Sequence, residues 1–163
     1  IVKIIKQEES MKKEEILVIA RNKKASHEYF ILETYEAGIV LYGTEIKSIR
    51  NTKVSIQEAY CEVKQGEMYI QNMHISVYDK GNIFNHKEER ERKLLLHKKE
   101  IIKLSTKVKL EGLTIIPLEV YINKGLAKLK IGLCKGKKLF DKRNDIKERS
   151  IKRDLDAKYK GKY

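Results

Sequence analysis

The most restrictive feature of this sequence is a pair of segments in which aliphatic residues occupy every second position. The first runs from 118 to 122 and the second from 127 to 133, and Asn123-Lys124-Gly125 separates them. A repeat of two is that of a β-strand, in which alternate side chains lie on one face. A short connection that contains Gly is typical of a hairpin. The pattern therefore predicts an antiparallel hairpin with Lys128 and Lys130 on its outer face.

The segment from Glu28 to Tyr42 predicts a second long strand. Tyr, Phe and Ile, which favour strands, are frequent in its first half, and Gly38 predicts a bend or bulge. Gly43 ends the strand, and Thr44 is expected to cap a short helix. Glu45 would lie in the first turn of that helix, where a negative charge interacts favourably with the helix dipole.

Two further elements lie between these segments. Gln65-Gly66 separates strand-like residues 60–64 from 68–75 and predicts another hairpin. Apolar residues recur at helical spacing over 98–110, and Gly112 is suited to end that helix. Short strands with few helices predict a mainly β fold: a small antiparallel barrel of the oligonucleotide-binding type, with flanking helices and a basic C-terminal tail.

The composition restricts both the size of the core and the class of partner. The chain has 163 residues, 41% of them hydrophobic, which predicts one domain with a modest core. Its net charge of +13 predicts a polyanionic partner, either nucleic acid or an anionic membrane surface. No apolar run approaches the roughly 20 residues of a spanning helix, so we expect a cytoplasmic location and no membrane partner. Cys61 and Cys134 stand in strand-like segments, which predicts buried free thiols.

Charge divides the chain at Cys134. Residues 135–163 hold twelve Lys or Arg and five Asp or Glu, a net charge of +7, whereas the other 134 residues carry +6. The tail has too few apolar residues for a core, so we predict that it is disordered when free and folds on a polyanion. The first Met is Met11. We therefore predict an N-terminal extension at 1–15, an RNA-binding barrel domain at 16–134 and the basic tail at 135–163.

Signals for catalysis are weak. The four histidines are scattered without metal-ligand spacing, and residues 132–138 lack the glycine spacing and terminal Ser/Thr of a phosphate-binding loop. We predict no catalytic residue, no metal and no cofactor. The alternative is a structural ribosomal protein, which would be present in every ribosome. A small nuclease ranks third, and degradation of RNA by the pure protein in metal-containing buffer would identify it.

Basic and aromatic side chains occur together near the start of the long strand. Lys23, Lys24 and His27 precede Tyr29 and Phe30. Such side chains supply phosphate contacts and base stacking in RNA-binding proteins. Alternation along the strand places one of the two aromatic residues in the core, so only the other would be available to RNA.

Glu33 and Glu36 form a pair of carboxylates on the same strand. Without a pocket, such a pair is weak evidence for acid–base chemistry. The two residues either form salt bridges with nearby lysines, or they contribute to RNA binding by orienting a basic side chain or by accepting a hydrogen bond from a base amine.

From about Val18 to Arg149, ordered blocks of the sequence resemble the bacterial SsrA-binding protein family, also called small protein B or tmRNA-binding protein. The matching blocks are Asn22–Ala25 with His27–Ile31, Glu36–Ile39, Gly43–Arg50, Asn72–Ile75, Arg90–His97, Gly132-Leu133, Lys135–Lys138 and Asp141–Arg143. So many blocks in one order are far more specific than any single motif in the chain.

The resemblance implies an oligonucleotide-binding-type barrel that binds the tRNA-like domain of tmRNA. It implies a role in trans-translation, in which this RNA is delivered to ribosomes stalled on mRNA that lacks a stop codon. The implied partners are tmRNA, the ribosomal decoding centre and mRNA channel, and elongation factor Tu indirectly through tmRNA. The tail is implied to become helical on the ribosome and to sense an empty mRNA channel. We expect the protein itself to be a monomer.

The resemblance and the basic pattern together assign residues to two RNA-binding parts. Those for tmRNA are Asn22, Lys23, Lys24, His27, Tyr29, Glu36, Lys47, Arg92, Leu95, Lys128 and Lys130. Those for the ribosome are Lys135, Gly136, Lys137, Lys138, Asp141, Lys142, Arg143, Lys147, Arg149, Lys152 and Arg153. The chain departs from the family pattern at Val77, where Pro is frequent, at Phe140, where Tyr or His is common, and at Ile151, where Trp is frequent.

Overall fold

A computed structural model describes residues 16–81 and 85–160, and the predicted N-terminal extension lies outside the described residues. Along the described chain, strands and helices follow one another in a mixed order. They are β1 (Leu17–Arg21), α1 (Ala25–Glu28), β2 (Tyr29–Ile39), α2 (Gly43–Arg50), β3 (Val54–Ser55), β4 (Tyr60–Lys64), β5 (Glu67–Gln71), β6 (His74–Ile75), β7 (Arg92–Leu95), α3 (Lys98–Glu111), β8 (Thr114–Asn123), β9 (Leu126–Gly136) and α4 (Leu139–Lys160).

Seven of the strands form one antiparallel sheet in the order β1-β8-β4-β5-β7-β2-β9. Strand β8 also pairs with β9 along most of its length, so the sheet curls back on itself around one core. Strands β3 and β6 form a separate two-stranded sheet. The arrangement confirms the prediction of a mainly β, antiparallel fold with flanking helices.

Both predicted hairpins are present. The turn residues Lys124-Gly125 have φ values of 51° and 75°, and Gln65-Gly66 have 51° and 78°. Two successive residues in the left-handed region are typical of the two-residue turns that suit the twist of paired strands. Strand β5 is shorter than predicted, because Asn72 also has a positive φ, 59°, and redirects the chain. His74–Ile75 consequently pairs with β3 instead of continuing the hairpin.

Element boundaries around β2 differ from the prediction. Residues 25–28 form a helical turn, and the strand begins at Tyr29 and ends at Ile39 rather than at Tyr42. Helix α2 begins at Gly43, so the predicted cap at Thr44 is wrong. Tyr42 is the N-cap, and its backbone N–H donates to the Glu45 carboxylate at 2.8 Å. Helix α3 confirms the prediction, and Gly112 ends it in the left-handed conformation.

The core lies inside the curled sheet and is made of the alternate aliphatic residues that the sequence pattern predicts. Leu129, Ile131 and Leu133 of β9 are buried there. Leu118 departs from the alternation, because the register of β8 shifts between Pro117 and Glu119 and places Leu118 in a second, smaller apolar cluster. The free thiols of both cysteines are buried, as predicted.

Helix α4 begins three residues after β9 ends, and most of its side chains are exposed. It contacts the rest of the molecule at α1. That the tail is disordered when the protein is free stays a prediction.

Candidate nucleic-acid interface

One group of predicted RNA-binding residues lies where β2 passes between β7 and β9. Gly38 pairs with Leu95 on one side and with Lys128 on the other. Leu95 is 54% exposed, and Lys128 Nζ donates to Glu36 Oε1 at 2.6 Å. Residues far apart in sequence thus share one surface, which we call the β2 face: Glu36, Leu95, Lys128 and Lys130.

Glu36 orients the cation of this face. It accepts the hydrogen bond from Lys128, and both side chains keep part of their surface exposed. Burial, together with a hydrogen bond to Glu36, raises the pKa of the Tyr121 phenol well above its ordinary value. Because Glu36 contacts both Tyr121 and Lys128, the ammonium is held in place while it remains accessible to a phosphate. Gly38 allows Leu95 to pack closely, since a Cβ at this position would lie 3.2 Å from Leu95 Cβ.

Glu33, the other carboxylate of the predicted pair, forms salt bridges instead. Tyr35 donates its hydroxyl to Glu33 Oε2 at 2.6 Å, and Lys107 of α3 donates to Oε1. These hydrogen bonds, from Lys107 first and Tyr35 second, lower the pKa of Glu33 to about 2. Lys103 lies 3.7 Å from the same carboxylate. Glu33 therefore attaches α3 to β2.

A second group of predicted residues lies at the other end of β2, which we call the α1 cluster: Lys23, Lys24, His27 and Tyr29. Seven residues of extended strand separate Tyr29 from Glu36, or about 23 Å. Lys23 is exposed. Lys24 pairs with Glu58, and this hydrogen bond raises the pKa of Lys24. The two groups thus lie well apart along β2, which contributes Tyr29 to one group and Glu36 to the other.

The two aromatic residues at the start of β2 have different environments, as alternation predicts. Tyr29 is half-buried against the second apolar cluster, which includes Ile116 and Cys134. Its ring also lines a cleft of about 250 Å³ beside Lys24. Phe30 is 40% exposed. Tyr29 is therefore the inward residue of the pair.

Asn22 requires a correction, because its side chain is nearly buried and its polar atoms are occupied. Its amide Nδ2 donates to the carbonyl oxygens of Pro117 at 3.0 Å and Ile56 at 3.4 Å. Its Oδ1 accepts from the backbone N–H of Ala25 at 3.2 Å. Asn22 fixes the turn that presents Lys23 and Lys24 and is not placed to contact RNA directly.

Arg92 requires the same correction, because its side chain is fully buried. The guanidinium pairs with Glu45, which is buried too, and donates to the carbonyl oxygen of Met73 at 2.7 Å. The sequence contains one signal of this burial: Arg92 and Leu94 are two apart on a strand and so share the core-facing side. Arg92 supports the barrel from inside and cannot reach RNA.

Lys47 lies in neither group. It is exposed on α2, with Nζ 5.3 Å from the centroid of the Tyr78 ring. Nearby, the Arg90 guanidinium lies 4.1 Å from the Tyr42 ring centroid and bonds Glu45 Oε1 at 2.6 Å. No local pattern predicts this stacked Tyr–Arg pair, since Arg90 stands in a polar run with other charged residues.

The tail leaves the barrel beside the α1 cluster. Gly136 is the last residue of β9 and pairs with Tyr29, and Lys135 pairs with Phe30. The backbone N–H of Lys138 donates to Asp141 Oδ2 at 3.2 Å, so Asp141 caps the start of α4. Lys138 is exposed and Lys142 is partly exposed. The remaining predicted cations lie exposed along the helix: Arg143, Lys147, Arg149, Lys152 and Arg153.

Within residues 16–81 and 85–160, no group of three or more His, Cys, Asp or Glu side chains is arranged to hold a metal ion. No helix in the same part of the chain combines the length and apolar character needed to cross a membrane.

A small antiparallel barrel-like sheet with basic surface groups and a basic helical extension defines a nucleic-acid-binding protein of the oligonucleotide-binding type. The model of the SmpB protein family matches residues 19–161. The chain belongs to the SmpB protein family.

Its relatives are similar over nearly their whole length. The SsrA-binding protein of Caldanaerobacter subterraneus subsp. tengcongensis is 54% identical over 153 residues, which cover 94% of this chain and 97% of the relative. That of Bacillus cereus is 56% identical over 138 residues, 85% of this chain and 89% of the relative. A chain of the solved structure described as "tmRNA-SmpB: a journey to the center of the bacterial ribosome" is 48% identical, with a TM-score of 0.63 over 75% of this chain and 85% of that one.

Proposed function

We propose that this protein binds the tRNA-like domain of tmRNA and delivers it, in trans-translation, to ribosomes stalled on mRNA that lacks a stop codon. The names of the relatives, SsrA-binding protein, and the similarity to a chain of a tmRNA-SmpB structure support this function. The proposed role is binding rather than catalysis, in the cytoplasm, with elongation factor Tu as an indirect partner through tmRNA.

The β2 face is the observation that carries the proposal. Lys128 is held by Glu36 in the free protein, so little side-chain entropy is lost when the ammonium meets a phosphate. Leu95, exposed beside it, supplies an apolar contact for a ribose or base. A positioned cation next to an exposed apolar side chain suits a folded RNA better than a featureless polyanion.

The α1 cluster would extend the same RNA-binding surface along β2. Lys23 and Lys24 are exposed for phosphate contacts, and the Tyr29 ring lines the adjoining cleft. Such contacts fix the position of an RNA, while stacking and base-edge contacts select it. We propose that one tmRNA molecule contacts both the α1 cluster and the β2 face.

The tail would act on the ribosome. Lys142, Arg149 and Arg153 are spaced by seven and four residues, so on a helix they lie along one face. This basic stripe suits a channel lined by RNA phosphates. We propose that α4 occupies the mRNA channel near the decoding centre when mRNA is absent from it.

A titration with the isolated tRNA-like domain at several salt concentrations tests the proposal, with tRNA as the competing ligand. Lys128→Ala is expected to weaken binding and to reduce the slope of log affinity against log salt by about 0.7–0.9, the contribution of one phosphate contact. Lys64→Ala is the matched control, because Lys64 is an ion-paired surface lysine on β4. Equal affinities and slopes for the two variants would show that the β2 face does not bind this RNA.

A further inference from the structure

A groove runs along helix α3 where this helix faces the β4–β5 hairpin. It consists of three adjoining hollows of about 230, 390 and 210 Å³. The first two share Gly66 and Ile101, and the last two share Val63 and Ser105. Ile102 also lines the middle hollow. We call this surface the α3 groove, and its floor is largely aliphatic.

The groove lies beside an opening in the curled sheet. Within the described residues, β4 and β8 pair at a single position, Cys61 with Ile115. Helix α3 lies across this opening and places Ile101 and Leu104 in the core. Ile102, the next residue after Ile101, is 57% exposed. Covering the opening therefore leaves an apolar side chain of α3 accessible beside the hairpin.

Each end of the groove carries an unpaired lysine. Lys98 lines one end and Lys109 lines the other, and both side chains are exposed. In the part of the chain that the structure describes, neither lysine has a carboxylate partner. By contrast, Lys103 and Lys107 pair with Glu33 of β2 from the opposite flank of α3. The groove flank of the helix is therefore the one with cations left for a partner.

The acidic residues that line the groove already have cations of their own. Glu62 Oε1 lies 3.1 Å from Lys64 Nζ, and Glu67 Oε2 lies 3.5 Å from Lys93 Nζ. The charges of the two end lysines are therefore not compensated from within the groove. An aliphatic floor with a free positive charge at each end is complementary to an apolar segment that carries negative charges.

We infer that the α3 groove binds an acidic peptide segment of a partner protein, in which aliphatic side chains are flanked by carboxylates. Lys98, Ile102, Ser105 and Lys109 are spaced by four, three and four residues, so they lie along one face of α3. Eleven residues of helix separate the two lysines, or about 16 Å. An extended peptide spans that length in about five residues, which sets the separation of its carboxylates. This partner is additional to the RNA of the proposed function.

The lining of the groove favours a peptide over RNA. Proteins that bind single-stranded RNA stack its bases on aromatic rings or on Arg, and neither is among the residues that line the three hollows. The free cations stand at the two ends, with Ile102 exposed between them. An apolar side chain of a peptide can cover Ile102 while its carboxylates reach the lysines.

A fluorescein-labelled synthetic peptide, in which leucines lie between two pairs of aspartates, tests the inference on the full-length protein. Fluorescence anisotropy is expected to show saturable binding that weakens as salt is added, because the end lysines are exposed. Replacing the leucines of the peptide by serine, or its aspartates by lysine, should abolish binding. The bound peptide should shift the backbone amide signals of residues 62–66 and 98–109.

Variants with matched controls locate the peptide in the groove. Ile102→Ser is expected to weaken binding several-fold, whereas Leu110→Ser should not, because Leu110 is 80% exposed but lies outside the groove. Lys109→Glu should also weaken binding several-fold. Lys152→Glu is its control, since it makes the same change of charge on the basic tail. All four variants should bind the tRNA-like domain of tmRNA as the unchanged protein does, so failure of the proposed function would be seen separately.

Several results would overturn the inference. Equal weakening by Lys109→Glu and Lys152→Glu would mean general attraction to a basic protein, and equal effects of Ile102→Ser and Leu110→Ser would remove the apolar anchor. A uridine oligonucleotide that shifts the groove signals at lower concentration than the peptide would make the groove an RNA surface. Self-association of the protein that Ile102→Ser abolishes would assign the groove to a second copy of the chain.

Discussion

The chain up to Cys134, which includes the barrel, and the tail after it carry nearly the same net charge, +6 over 134 residues and +7 over 29, but the barrel and the tail hold their cations differently. On the β2 face, Lys128 is fixed by Glu36 before any ligand arrives. Along α4, Arg143, Lys147 and Arg149 are exposed side chains on an exposed helix. The difference is between a cation that the fold preorganises and an exposed basic helix, and we propose that the order of this helix depends on its partner.

The side chains of the two regions therefore lose conformational entropy at different stages, on folding in the barrel and on binding in the tail. Folding of the barrel fixes Lys128, so its affinity for RNA reflects contact chemistry. Ordering of the distal tail would accompany binding, which lowers its affinity but makes it responsive to whether a site is available. That division fits the proposed function, in which the barrel binds tmRNA and the tail tests the mRNA channel on the ribosome.

Removing the buried cation of the barrel should give the largest loss of unfolding free energy. It should also distinguish the barrel, which depends on this cation, from the tail, which does not. Arg92→Ala leaves Glu45 with Arg90 alone, and loss of one partner of a buried pair costs about 3–5 kcal/mol. Urea unfolding followed by near-UV circular dichroism measures the loss, and we expect the lower end because Arg90 remains. Lys93→Ala is the control, since the adjacent Lys93 pairs with Glu67 at the surface. Equal losses in the two variants would contradict the structural role of Arg92.

Removing the cap of α4 should give a smaller effect that is confined to the tail. Asp141, the third residue of the helix, accepts from the backbone N–H of Lys138, and loss of this hydrogen bond and of the negative charge in the first turn costs about 0.5–1 kcal/mol of helix stability. Asp141→Ala is expected to lower the far-UV helicity that the tail gains when a polyanion is added, while the unfolding midpoint of the barrel stays the same. Asp154→Ala removes an equal charge from the exposed helix without removing a cap. A shift in the barrel midpoint would show that the tail and the barrel are less independent than proposed.

The pH dependence of the Glu33 salt bridges should be the smallest effect, because exposed ion pairs contribute little. The pKa of Glu33 is lowered to about 2 from 4.5, so its ionised form stabilises the fold above about pH 4.5. This contribution is lost as the pH falls toward 2. Glu33→Gln should therefore be less stable than the wild-type protein at pH 7, and the difference should shrink below pH 4.5. A difference in unfolding free energy that does not change with pH would rule out the assigned contacts of Glu33.

Local pattern predicted most of the fold. Both hairpins and helix α3 follow from periodicity and turn residues within short windows, and they are present. What the sequence missed depends on partners that are distant along the chain. Asn22 bonds Pro117, 95 positions away, and Arg92 bonds Glu45, 47 positions away. From the sequence alone each residue is a candidate RNA ligand, whereas in the fold its polar atoms are occupied by these distant partners.

The candidate site also depends on contacts between residues that are distant along the chain, which local pattern does not predict. Family resemblance selected Glu36, Leu95 and Lys128 individually, but it did not show that they meet. Their contact depends on pairing of β2 with both β7 and β9 across Gly38. The burial of the Lys137 side chain has no local signal either, because it depends on Ser26, 111 positions away.

The division of labour between barrel and tail is tested most directly by truncating the chain after Lys138. This end point keeps Gly136 paired with Tyr29 and removes α4. The affinity of the truncated protein for the tRNA-like domain of tmRNA is measured beside its support of tagging on stalled ribosomes. We predict an affinity close to that of the full chain and no tagging. A tenfold or greater loss of affinity, or tagging that persists, would contradict the account.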